Sequence, residues 1–175
     1  MQSSEFDAKE RAGVAYRAAA VSPMTARTWT RTVDLALGHR DAGGHPRYDL
    51  VDMVCLAIMK NLTQDANMGA STAATIVNYL RPNLREIIDA VIQEQAEAGR
   101  WSWGPFPCAV VIGRPLANQA KESGRRHWLF FAQDAEALGL LLDGSALKCP
   151  VVIQLVPLIN GVRLALKNSA SELPE

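Results

Sequence analysis

Arg27 and Arg31 stand four residues apart in a stretch that also carries Thr25 and Thr28. On a helix that spacing puts both guanidinium groups on one face, where they can meet phosphate oxygens or grip the O6 and N7 edge of a guanine. Threonine hydroxyls would add short contacts to the same targets. Ser22 and Pro23 come just before: a serine hydroxyl caps a helix, proline is tolerated in its first turn, and the N-terminus so formed can itself accept a phosphate. Further on, His45 and Arg47 sit in a stretch centred on Gly43-Gly44 that reads as a tight, exposed hairpin or loop, and Arg47 is placed for a phosphate or for a narrow minor groove. Tyr48 follows and is expected to pack this hairpin onto the core, with a hydroxyl able to reach outward as well.

The elements that must hold these groups follow from periodicity and punctuation. Ala8 to Ala20 is a helix-forming run with Val14 and Ala18 four apart. Val21-Ser22-Pro23 ends it and starts a second helix to about Val33 or Leu35, with Trp29 and Val33 pointing inward. Asp49 caps a third helix in which Leu50, Val54, Ile58 and Leu62 keep helical spacing. Ser71 to Leu80 and Asn83 to Ala98 read as two further helices separated by Pro82.

After Gly99 the character changes, at Trp101-Ser102-Trp103-Gly104-Pro105. Cys108 to Ile112 and His127 to Ala132 are strand patterns, Pro115 to Glu122 a short helix and Asp134 to Leu142 a longer one. Val151 to Leu158 and Val162 to Leu166 flank Asn160-Gly161, which predicts a hairpin. The expected fold class is therefore α+β, with a mostly helical domain over residues 1–98 and a small α+β domain with a short antiparallel or mixed sheet over 99–175.

Composition bounds the function. Of 175 residues, 49% are hydrophobic and 21% charged, a globular balance. Eighteen basic residues against eighteen acidic ones leave no global basic footprint, but Arg17, Arg27, Arg31, Arg40 and Arg47 face only Asp34 and Asp41 between residues 17 and 47, a local patch suited to positioning phosphates. Cys55, Cys108 and Cys149 are odd in number and set in apolar sequence, which favours buried free thiols over disulfides or metal ligands. No apolar run reaches the ~20 residues of a membrane span and no signal-peptide core is evident, so a reducing cytoplasm is expected.

Catalysis would have to come from the second half, whose one histidine is His127 and whose acidic residues Glu122, Asp134, Glu136 and Asp143 show no pairing on one element. No phosphate loop, nucleophile elbow or metal pattern appears, and neither an enzymatic activity nor a cofactor is expected. Trp101, Trp103, Phe106, Trp128, Phe130 and Phe131 make the region aromatic-rich, which suits self-association and, as an alternative, a pocket for a small-molecule effector.

Two stretches carry a specific resemblance. Ala20-Val21-Ser22-Pro23-Met24-Thr25-Ala26-Arg27-Thr28-Trp29 is similar to the start of the recognition helix in the MerR family, where Gly-Val-Ser precedes Thr-Leu-Arg and an aromatic. Gly43-Gly44-His45-Pro46-Arg47-Tyr48-Asp49-Leu50-Val51-Asp52 resembles that family's wing and the helix after it. The match covers about residues 9–80. The resemblance implies a winged helix-turn-helix whose second helix enters the major groove of double-stranded DNA while the wing tracks the neighbouring backbone or minor groove, with Ser22, Thr25, Arg27, Thr28, Arg31, His45, Arg47 and Tyr48 as contact residues. It implies a transcriptional regulator, with an architectural or recombination-accessory role on a mobile element as an alternative. Met24 stands where many relatives carry a basic residue, Ala26 replaces the usual Leu, and Pro46 replaces one of two wing arginines. Fewer phosphate contacts, a shallower salt dependence and reliance on a homodimer or on cooperative binding are expected. The long dimerisation helix of that family is not expected, because Asn83 to Ala98 gives only about four turns.

Overall fold

The structure, a computed structural model, describes residues 9–35, 37–98, 109–115, 128–132, 135–143 and 147–171. It is α+β, with two antiparallel three-stranded sheets among the described residues. The chain divides into two units, residues 1–88 with 158–175, and residues 89–157.

The first unit opens with a two-residue strand, β1 (Glu10–Arg11), and helix α1 (Ala12–Ala18), shorter than the sequence pattern suggested because Glu10 and Arg11 pair with a later strand instead. The end of α1 is a complete Schellman turn: the Val21 N–H reaches the Tyr16 carbonyl at 2.8 Å and the Ala20 N–H the Arg17 carbonyl at 2.9 Å. Ala20 takes the left-handed conformation there (φ 52°), a place usually given to glycine. Helix α2 (Pro23–Thr32) begins as expected, with Ser22 Oγ accepting from the Thr25 N–H at 3.1 Å. Trp29 is buried, whereas Val33 is already extended at the helix C-cap and half-buried.

Strands β2 (His39–Arg40) and β3 (Pro46–Tyr48) form a hairpin around the glycine-rich turn, and β3 lies between β1 and β2. Gly38 (φ 75°) enters it at a point where a Cβ would stand 3.1 Å from the Arg47 carbonyl oxygen and 3.3 Å from the Tyr48 ring. Helix α3 (Leu50–Lys60) follows directly. Every residue from Leu50 to Met59 is buried, so its apolar residues run all round rather than along one stripe. Asp49 caps it through a reciprocal box with Asp52, and a π-helical turn (Asn61–Asp65) ends it.

Two sequence expectations are corrected here. Pro82 does not separate two helices: α4 runs unbroken from Ala70 to Ala98, 29 residues. Ala73, Val77, Leu80, Leu84, Ile87 and Val91 are all buried and spaced by four, three, four, three and four, so the apolar stripe passes through Pro82 without losing phase. The burial offsets the hydrogen bond that proline cannot donate. Second, Asn160-Gly161 is not a turn. It lies within α6 (Leu155–Ser171), where Leu155, Val156, Ile159 and Val162 are buried at helical spacing.

In the second unit β4 (Ala109–Pro115) is the central strand, flanked by β5 (Trp128–Ala132) and β6 (Leu147–Gln154), both antiparallel to it. Ala109 to Ile112 are buried on both faces. Helix α5 (Ala135–Asp143) packs Ala137, Leu138 and Leu141 against Ala109 and Ala132, which Val152 of β6 also covers. The helix expected to Glu122, His127, and the aromatics Trp101, Trp103 and Phe106 lie outside the described residues. No helix among the described residues is long and apolar enough to cross a membrane.

Candidate nucleic-acid interface

The exposed face of α2 gathers Met24, Arg27, Thr28 and Arg31, and Pro23, Met24, Arg27, Thr28, Arg31 and Thr32 line one shallow concavity. Positions 24, 28 and 31 recur at helical spacing on this face, opposite the buried Ala26 and Trp29. Among the described residues neither Arg27 nor Arg31 has an ion-pair partner. The hydroxyls also make hydrogen bonds within the helix. Thr28 Oγ1 donates to the Met24 carbonyl (3.0 Å), Thr32 Oγ1 to the Thr28 carbonyl (2.7 Å) and Thr30 Oγ1 to the Arg27 carbonyl (3.1 Å). Ser22 and Thr25 share a hydrogen bond of 2.8 Å. Thr28, Thr30 and Thr32 thus commit their hydroxyl protons to the helix itself, leaving the guanidinium groups as its charged outward donors.

The β2–β3 hairpin is organised by Asp41. Its Oδ1 accepts from the Gly43 N–H (3.0 Å) and the His45 N–H (2.8 Å), and its Oδ2 takes Arg47 Nε at 2.9 Å. The His45 N–H, and after it the Arg47 guanidinium, hold the Asp41 carboxyl below its ordinary range. Arg40 donates to the Gly44 carbonyl across the turn (2.9 Å). Arg47 is thus half-buried and already paired, while His45 is exposed.

Tyr48 lies inside, not on the surface. It is 3% exposed, its hydroxyl is 2.9 Å from that of Tyr16 and the two rings meet edge to face at 5.5 Å. Burial, then the hydrogen bond to Tyr16, pushes its hydroxyl well above the usual tyrosine range. Of the eight expected contact residues, Ser22, Arg27, Thr28, Arg31 and His45 are exposed, Thr25 and Arg47 half-buried and Tyr48 is core.

Sequence reasoning passed over Arg11. In the sheet Arg11 stands opposite Arg47, and Arg47 opposite His39, so three basic side chains share one row and one face. Arg11, His45 and Arg47 also line a common concavity. A two-residue strand offers no alternation by which to find such a partner.

His39, Asp49 and Asp52 bring ligand atoms within 4.8 Å of one another. Their oxygens are largely committed: Asp52 Oδ1 accepts from Arg81 at 2.7 Å, its Oδ2 from the Asp49 N–H at 3.2 Å, and Asp49 Oδ1 from the Asp52 N–H at 2.8 Å. Burial, and then the Asp49 charge, raise the Asp52 carboxyl, and Arg81 opposes them. The guanidinium supplies the counter-charge a cation would bring, so the cluster serves as a strut between α3 and α4. Cys55 is fully buried and its thiol is pushed up to about 12 by burial, an inert core group. The chain matches no protein-family model, and no curated protein matches it in sequence.

Proposed function

We propose that this chain is a sequence-specific, double-stranded DNA-binding regulator of the MerR-like winged helix-turn-helix type, acting as a homodimer in the cytoplasm. The observation that carries the reading is the exposed face of α2: two arginines without ion-pair partners among the described residues, on a helix capped by Ser22 and backed by a buried Trp29. In this reading α2 lies in the major groove, and the β2–β3 hairpin is the wing. Helix α1 contacts both α2 and β3, which supports a fixed spacing between the groove-reading helix and the Arg11, His45 and Arg47 face. With few cations per copy, a second copy on an adjoining half-site supplies the remaining affinity.

The test is selection of bound duplexes from a random DNA pool by the full-length protein at moderate salt. An enriched inverted repeat is the expected result and gives the half-site spacing. Recovery of unenriched sequence only would remove sequence-specific recognition and leave architectural binding.

A further inference from the structure

We infer that α2 reads the C5-methyl group of thymine beside guanine, with Met24 and the Thr28 methyl as the apolar contact; this rests on the DNA-binding reading above. Met24 is 78% exposed, the most exposed of the large hydrophobic side chains among the described residues. It stands one turn before Thr28 and three residues before Arg27, at the N-terminal end of the arginine-bearing face, where a long apolar side chain gains nothing from water. Thr28 commits its hydroxyl proton to the Met24 carbonyl, which leaves its methyl group and the Met24 thioether as neighbouring apolar surface.

The chemistry of the whole helix narrows what this face can recognise. From Ser22 to Thr32 there is no Asp, Glu, Asn or Gln, so α2 has neither an amide to bind adenine in bidentate fashion nor a carboxylate to accept from cytosine N4. Its outward charged groups are donor-only guanidiniums, which match the acceptor edge of guanine. Its apolar groups match the one apolar feature of the major groove, the thymine methyl. Arginine and methionine side by side therefore select a thymine adjoining a guanine, and Met24 becomes a specificity residue rather than a missing phosphate contact.

The experiment uses the full-length protein and the duplex recovered from the selection. Each thymine is replaced in turn by deoxyuridine, which removes the C5-methyl and nothing else. Binding is expected to weaken about fourfold at one or two thymines adjoining a guanine. With Met24→Ala, whose melting temperature should equal that of the parent because the side chain is exposed, the same deoxyuridine substitutions should cost less than twofold. If deoxyuridine is silent throughout a site that the protein selects, the methyl inference is overturned and the DNA reading stands. An equal deoxyuridine penalty in parent and Met24→Ala also overturns the role of Met24. If no sequence is enriched, the reading and the inference fall together.

Discussion

Ala20 carries a conformational cost that a single atom decides. The left-handed region costs an L-residue roughly 1–2 kcal/mol, and the turn between α1 and α2 requires it at this residue. Glycine relieves that cost but gives up chain entropy in the unfolded state. Ala20→Gly is therefore expected to stabilise the protein by about 0.5–1 kcal/mol, readable as a shift in the denaturation midpoint with an unchanged slope. Trp29, buried on the inner face of α2, lies at the other extreme. Trp29→Ala should cost about 3–5 kcal/mol, measured by the same denaturation, because it opens a cavity under the helix.

At the scale of elements, helix starts were legible and helix continuations were not. Ser22-Pro23 and Asp49 announce themselves because capping is a local event between residues three apart. Pro82 and Asn160-Gly161 misled because a breaker signal is also local, whereas the burial that overrides it is spread along the whole element. The phase of the buried residues across Pro82 was available in the sequence and was the better guide. The arginines of α2 could be found from their spacing, while the commitment of its hydroxyls and the pairing of Arg47 with Asp41 needed backbone geometry. Pro82→Ala restores an N–H donor within α4 and should raise stability by about 1–2 kcal/mol, less than the full helix penalty of proline because the unfolded chain gains freedom.

The hairpin gives a pH dependence. Asp41 titrates below its unfolded value, so its contribution is present above the ordinary carboxylate range and is lost as pH falls through the lowered value. On acidification from neutral pH through that lowered value, the Gly43 and His45 amide protons should lose their hydrogen-bonded shifts together. Asp41→Asn should abolish that transition.

Over the molecule as a whole, zero net charge means that the proposed binding to DNA would depend on a few placed cations rather than on a diffuse field. Each phosphate contact adds about 0.9 to the slope of log K against log salt. Arg27→Ala should weaken binding and, if Arg27 holds a phosphate, flatten that slope by about one; if it holds a guanine, affinity falls with selectivity at that position and the slope stays. Thermal stability should change by no more than about 0.5 kcal/mol in either case. Titrations at several salt concentrations separate these outcomes.

The first unit is completed only by residues 158–175, after the 69 residues from 89 to 157 of the second unit have intervened. During synthesis from the N-terminus, the segment that would read DNA leaves the ribosome long before Ile159 and Val162, which end up buried. A chain released early, by a premature stop or a protease cut after residue 98, therefore contains every proposed contact residue and still lacks part of its unit. In the proposed reading, such a product would carry the DNA-contacting side chains on a unit that lacks the buried Ile159 and Val162, and its fold would be weakened accordingly.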